Sequence, residues 1–341
     1  MFKYLSHALS PLSGHFWTLA QPWHYKRSAT EQCLWNTTVS DTTMGSIRLS
    51  GALSGHLLDE NLVILIHGMG GHANSAYLRH ASQHVEQQGL ACLRLSLRGA
   101  DRSGEDMYHS GLTADLHATL LDPQLKRFRN VWIIGFSLGG HMALRFATEP
   151  HDTRVRGVVS ISSPLELDQV AHHLDSAPLW IYRKYLLYAV TQIYAAIAKR
   201  RSVPVPLDEV RRAHTVRHWD SLVLVPRFGF NTVDDYYHTM SVGPLLSKLL
   251  VPSLLIHSTL DPIVPIKTIT PWLASACTLL DARIVSIGGH VNFPTRMDLG
   301  HGASKGLMSQ VLHWCVNEKG VGDVGFEPTT SRFSVLRSTG L

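Results

Sequence analysis

Val131-Trp132-Ile133-Ile134-Gly135-Phe136-Ser137-Leu138-Gly139-Gly140 is the stretch that decides the fold of this chain. Apolar residues of strand character run straight into Gly-x-Ser-x-Gly, and Gly140-His141-Met142-Ala143-Leu144-Arg145-Phe146-Ala147 carries on with apolar residues at helical spacing. A serine held on a sharp strand-to-helix turn needs small residues two positions before and after it, because the two backbones pass closely there. Gly135 and Gly139 meet that need, so Ser137 is nominated as a nucleophile.

Working outward, Leu62-Val63-Ile64-Leu65-Ile66 is a continuous apolar run of the kind found in buried parallel strands. A glycine-rich turn and a helical stretch over 74–88 follow. The next strand covers Ala91 to Leu97, a helix runs from Asp115 to Leu121, and a strand follows the elbow over 155–162. This alternation implies a parallel sheet with helices on both faces. Over 165–248 the strand signals stop and the pattern turns helical, with a break at Pro204 and Pro206. Leu187, Val190, Tyr194 and Ile197 recur at intervals of three and four, an amphipathic helix. Arg183, Lys184 and Gln192 interrupt it too early for a bilayer span. Strands resume at 252–257 and 282–287, and a helix is expected over 303–317.

The expected fold class is therefore α/β, a mostly parallel sheet with helices on both faces and an inserted helical cap. The core comprises 46–164 and 249–318, and the cap, 165–248, follows the sixth strand. Residues 1–45 read as an irregular N-terminal arm, and 319–341 as a disordered tail without periodicity. Within it, Gly325-Phe326-Glu327-Pro328 is what the T-arm of a transfer RNA gene encodes when translated, so the tail reads as read-through of a neighbouring gene. A genomic sequence without a tRNA-like stem there would remove that reading.

With 45% apolar and 17% charged residues, the 341-residue chain has ordinary globular composition. Its net charge of +5 is modest, and its clusters Lys199-Arg200-Arg201 and Arg211-Arg212 come without any nucleic-acid motif. Nucleic acid is excluded as a partner, whereas peripheral contact of a basic helix end with anionic lipid is compatible. Cys33, Cys92, Cys277 and Cys315 lack C-x-x-C spacing, which argues against a zinc knuckle or a disulfide framework and for a reducing compartment. The opening residues turn polar too soon for a secretory signal. The expected location is cytoplasmic, with membrane association left open.

A serine alcohol attacks only when a histidine takes its proton, and that histidine needs a carboxylate to fix its tautomer and stabilise the imidazolium. With a strand-turn-helix serine, the chain order is serine, acid, histidine. Asp261, in Ser258-Thr259-Leu260-Asp261-Pro262, follows one late strand, and His290, in Gly288-Gly289-His290, follows the next. His257 lies inside a strand and His301 past the loop, so His290 is favoured over both. The developing oxyanion needs backbone donors. Leu138 supplies one, directly after the serine, and Met69 the other, in His67-Gly68-Met69-Gly70-Gly71 after the 62–66 strand. His80 and His84 lack a third metal ligand, no dinucleotide or P-loop fingerprint occurs, and neither metal nor organic cofactor is expected.

Taken together, these residues resemble the YheT-type branch of the α/β-hydrolase superfamily, which includes mammalian abhydrolase-domain lipid hydrolases. The more specific pieces are His67-Gly68-Met69-Gly70-Gly71, Arg98-Gly99 with Tyr108-His109-Ser110-Gly111 and Asp115, Asp235-Tyr236-Tyr237, and Gly288-Gly289-His290. The resemblance, over about 15–318, implies Ser137 as nucleophile, Asp261 as acid and His290 as base. It also marks His67, Tyr108 and His109 as candidate substrate contacts. After Arg98-Gly99 the family usually has cysteine, where this chain has Ala100 followed by Asp101-Arg102. The resemblance implies action on carboxylic esters, from short acyl esters to glycerolipids, with a small-molecule or lipid ester as partner. Acyl transfer by the same triad and a non-catalytic binding module are the alternatives.

Overall fold

A computed structural model describes residues 10–19, 33–55, 59–318 and 333–336. The apolar run around the third strand dictates the centre of the sheet. β3 (Asn61–Ile66), β4 (Ala91–Ser96), β5 (Asn130–Phe136), β6 (Val155–Ile161), β7 (Ser253–Ser258) and β8 (Leu280–Val285) pair in parallel, in the spatial order β4-β3-β5-β6-β7-β8. Residues 62–66 are fully buried because helices cover both faces. α2 (Ala76–Gln87) packs against β4 and β3, α3 (Ala114–Leu121) against the first strand of the chain, and α4 (Leu138–Phe146) against β5 and β6.

Two antiparallel strands extend this sheet at one edge, β1 (Cys33–Asp41) and β2 (Gly45–Ser54), with β2 paired to β4. β1 lies in the segment expected to be irregular. Its Ser/Thr-rich sequence buries only Trp35 and Val39, four positions apart on one face, so the alternation is too sparse to stand out. The hairpin turn is built by Asp41, whose Oδ1 accepts from the Thr43 and Met44 amides at 3.0 Å, and by Gly45 at φ +75°. At the other edge β9 (Phe333–Leu336) pairs with β8, so four residues expected in a disordered tail form a strand instead. Residues 1–9 and 20–32 of the expected arm, and 319–332 and 337–341 of the tail, including the Gly-Phe-Glu-Pro stretch, lie outside the described residues. A further helix, α1 (Ser10–Leu19), precedes the hairpin.

Between β6 and β7 the chain is helical: α5 (Leu167–Asp175), α6 (Trp180–Ala198), α7 (Val216–Phe228) and α8 (Val233–Met240). Leu187, Val190, Tyr194 and Ile197 are all buried, as their spacing predicts. After β8, the expected 303–317 helix is α9 (Leu307–His313) followed by a π turn. No helix among the described residues is long and apolar enough to cross a membrane.

A buried ion cluster ties the cap to the hairpin edge. Arg98 donates to Asp41 at 2.7 Å, Asp106 at 2.9 Å and both oxygens of Asp115 at 2.6 and 3.2 Å. Arg227, from α7, donates to both oxygens of Asp106 at 2.8 and 2.6 Å and to Asp41 at 3.2 Å. Burial alone would raise the Asp41 carboxyl, but Arg98, Thr43 and Met44 outweigh it and hold Asp41 well below the usual carboxylate range. Asp115→Ala takes two hydrogen-bond acceptors from the buried Arg98 guanidinium, so it should cost roughly 3–5 kcal/mol of folding stability, read from urea unfolding. A loss below about 1 kcal/mol would contradict the cluster's role.

Candidate active site

Ser137 sits at φ +52°, a left-handed conformation that a serine adopts only under local constraint. The constraint is the close approach of its flanking glycines. A Cβ on Gly135 would lie 2.2 Å from the Gly139 carbonyl oxygen, and a Cβ on Gly139 would lie 2.5 Å from that of His67. The Ser137 amide donates to the Ile161 carbonyl at 2.8 Å, which fixes the turn to β6.

Late strands bring the other two groups to it. His290 Nε2 is 2.8 Å from Ser137 Oγ, and His290 Nδ1 is 2.8 Å from Asp261 Oδ2. The second Asp261 oxygen accepts from the Ile263 and Val264 amides at 2.8 and 3.0 Å, so both oxygens are engaged and the carboxylate cannot swing. His257 is a buried strand residue whose Nε2 contacts the Val264 carbonyl at 2.9 Å, which supports the acid loop from below.

The turn after β3 has one amide to spare. Gly68 N–H goes to the Tyr77 hydroxyl, Gly70 N–H to the Tyr108 hydroxyl at 2.7 Å and Gly71 N–H to the Gly68 carbonyl. His72, Ala73 and Asn74 N–H groups go to Ser75, Ser96 and the His72 ring. Among the described residues no acceptor takes the Met69 N–H. Leu138 N–H, at the start of α4, likewise has no acceptor among the described residues. Met69, Leu138, Ser137 and His290 all line one cavity of about 750 Å³.

Of the three candidate substrate contacts, Tyr108 and His109 line this cavity and His67 does not. His67 is fully buried beneath the turn. Its Nδ1 is 2.7 Å from the Gly68 carbonyl and its Nε2 accepts from the Leu97 amide at 3.0 Å, so it pins the turn to β4 and touches no ligand space. Sequence alone gives no ring direction for a histidine at a strand end, which is why it looked like a site residue. His109 packs against Phe228 with the rings tilted by 58° and centroids 4.4 Å apart. Burial and the nearby Arg98, Arg145 and Arg227 charges push its pKa down to about 3, so its ring is neutral.

Two groups of the site escaped the sequence reading. Asp220 lines the cavity from α7 and accepts from the Tyr237 hydroxyl at 2.6 Å, and burial raises its pKa to about 7. Val216, Trp219, Val223 and Leu224 share its face, so an acid on an apolar stripe was a readable signal. α1 is the other. Its Thr18 Oγ1 accepts from the His290 amide at 2.9 Å, and a Cβ on Gly289 would lie 2.6 Å from the Gly14 carbonyl oxygen, so the helix lies directly on the histidine loop.

A parallel sheet flanked by helices, with a serine on the strand-to-helix turn and a histidine and an aspartate from later loops, defines the α/β-hydrolase class. Residues 61–296 match the family described as alpha/beta hydrolase fold, and the chain belongs to it. It is similar to the putative esterase YheT of Escherichia coli (strain K12), 29% identical over 245 residues covering 68% of this chain and 70% of that protein. It is also similar to the monoacylglycerol lipase of Saccharomyces cerevisiae, at 27% over 252 residues, and to the human phospholipase ABHD3, at 25% over 245. It spans only 54% and 58% of those two proteins. Among solved structures, the Pyrococcus furiosus esterase Pf2001 shares the fold with a TM-score of 0.50 and 16% identity, covering 79% of this chain and 91% of that one.

The buried histidines give the fold a pH dependence of definite sign. Burial holds His67 and His141 down to about 4 and His109 to about 3, so below pH 6.5 the unfolded chain takes up three protons that the folded chain refuses. Asp220 works the other way, keeping a proton in the folded state up to about pH 7 and offsetting one of them. Stability should therefore fall by roughly 2 to 3 kcal/mol per pH unit between pH 6 and 5. Urea unfolding at pH 7.5, 6 and 5 measures this, and a flat profile would contradict it.

Proposed function

We propose that this protein is a serine hydrolase that cleaves carboxylic esters through an acyl-enzyme on Ser137. The observation that carries the proposal is the unbroken hydrogen-bonded line from Ser137 Oγ through His290 to Asp261, with two 2.8 Å links. His290 Nε2 takes the Ser137 proton as Oγ attacks the ester carbonyl, and Nδ1–H stays on Asp261, which stabilises the imidazolium. The Met69 and Leu138 amides hold the oxyanion of the tetrahedral intermediate. Collapse of that intermediate breaks the bond to the alcohol, which leaves with the proton from His290. Water then gives up a proton to His290 and attacks the acyl-enzyme; the bond to Ser137 Oγ breaks, His290 returns the proton to Oγ, and the acid is released.

The cavity supports an apolar acyl group. Its walls include Leu167, Val170, Leu174, Leu186, Val190 and Leu224, and about 750 Å³ accommodates more than a short acyl chain. Relatives named as esterase, monoacylglycerol lipase and phospholipase agree with an ester of lipid-like character as substrate. Tyr108 contributes by holding the Gly70 amide and so aiming that of Met69, and His109 offers a neutral wall. Neither metal nor cofactor enters this chemistry. The expected setting is the cytoplasm, with peripheral membrane contact.

A fluorophosphonate probe should label the wild-type chain and leave Ser137→Ala unlabelled. Asp261→Asn should keep the fold and lower kcat on a soluble p-nitrophenyl ester by about ten-thousandfold, because the histidine loses its fixed tautomer. A wild-type chain that neither takes the probe nor hydrolyses any member of an ester series would overturn the proposal.

A further inference from the structure

Two helices beside the cavity mouth carry their apolar residues on the outside. On α1, Leu12, Phe16 and Leu19 recur at i, i+4 and i+7, and each is more than half exposed. The opposite face, Gly14 and Thr18, is the one seated on the histidine loop. On α6 the exposed positions are Trp180, Ile181, Lys184, Tyr185 and Tyr188, again one face over two turns. A helix of a water-soluble domain normally turns such a stripe inward. Here the inward stripe of α6 is also apolar, so the exposed aromatics are additional to what packing requires.

The two faces form one surface. His15 of α1 lies 2.8 Å from the Tyr182 hydroxyl of α6, and their rings stack at 5.7 Å. The surface frames the entrance, since Leu19, Ile181, Tyr185 and Tyr188 belong both to it and to the cavity lining. Its charge has one sign. Neither α1 nor the run Trp180–Arg201 contains an acid, while Arg183, Lys184, Lys199, Arg200 and Arg201 lie along α6 and its end. Arg102, at the cavity mouth, borders a shallow groove shared with Lys199 and Arg200. Asp101 is the acid beside it, and it is engaged by Ser50 and Ser103.

We infer that the α1/α6 face is a membrane-docking surface that seats the cavity mouth on a leaflet bearing anionic headgroups. Tryptophan and tyrosine favour the level of the headgroups, where one end of the ring is apolar and the other wet. Leucine, isoleucine and phenylalanine side chains enter the acyl boundary, and the cations meet the surface potential. α6, about 28 Å long at 1.5 Å per residue, lies along the surface and does not cross it. An ester drawn from the leaflet then enters between α1 and α6 without crossing water. This deepens the hydrolase reading, because it makes the substrate a membrane-resident ester, but the docking itself needs no turnover.

The test is co-sedimentation of the full chain with vesicles of phosphatidylcholine alone and of phosphatidylcholine with three parts in ten phosphatidylglycerol. Binding to the anionic vesicles, stronger than to the neutral ones, is expected. The triple variant Leu12→Ser, Phe16→Ser, Trp180→Ser should lose at least about tenfold in partition, while its hydrolysis of a soluble ester stays unchanged because none of the three lines the cavity. Lys184→Gln should narrow the anionic preference by roughly fivefold. Absence of binding to either vesicle, or full binding by the triple variant, overturns the inference. So does a wild-type dimer in sedimentation velocity that the triple variant dissociates, since the face would then belong to a second copy. Vesicle binding without turnover of any ester supports the docking and overturns only the hydrolase reading.

Discussion

The contact on which the site depends is one between backbones. At the elbow, β5, α4 and the turn after β3 approach so closely that Gly135 meets Gly139 at a separation no side chain could occupy, and Gly139 meets the carbonyls of Ile66 and His67. That approach forces Ser137 to φ +52° and lifts its hydroxyl off the end of the sheet. It also brings the His67–Gly71 turn against the N-terminus of α4, where the Met69 and Leu138 amides can serve one oxygen. The proposed nucleophile and oxyanion donors are thus set by the same crowding. His67 keeps the turn from relaxing, because its ring bridges the Gly68 carbonyl and the Leu97 amide.

A second constraint carries this geometry out to the cap. The loop after β4 begins at Arg98, anchored by three carboxylates, and reaches the cavity at Tyr108 and His109. Arg227 binds two of these carboxylates, Asp41 and Asp106, from α7, so the cap wall and the loop share charges. Two arginines against three aspartates leave the cluster with one excess negative charge. Buried ion pairs add little net stability when compared with apolar packing. The value of the cluster lies in direction, since bidentate guanidinium contacts fix where α7, the hairpin turn and the loop stand relative to one another. His141 of α4 works at the hinge, its ring between the Pro164 and Met240 carbonyls at the two ends of the helical insertion.

Much of this was legible in the sequence, for reasons that follow from period and order. Fully buried parallel strands read as unbroken apolar runs, so β3 could be placed to within a residue and β5 to within two. Asp261 and His290 could be singled out as candidates because the expected chemistry asks for an acid and a base after late strands, and both lie in hydrogen-bond line with Ser137. β1 escaped because a strand buried on two side chains has almost no apolar period, and pairing with β2 holds it in place. His67 was misread because its neighbours are those of a site residue, while its ring direction depends on Leu97, 30 positions away. Asp220 was passed over although its helical face gave it away.

α1 shows how surface and site can be one element. Its buried face is made of Gly14 and Thr18, two small residues at a spacing of four, and that smallness lets it lie on Gly289 and Leu260. Through Thr18 it accepts the amide hydrogen of His290, the residue between Ser137 and Asp261. A helix packed by so few atoms gains little from burial alone. Its outward face is apolar and its sequence carries no acidic or basic residue except His15, so water is a poor environment for it. In the docking proposed above, a lipid leaflet on the outer face would supply the burial that the inner face lacks. The same contact would then hold α1 against the histidine loop, coupling attachment to the order of the proposed base, His290, through a single hydrogen bond.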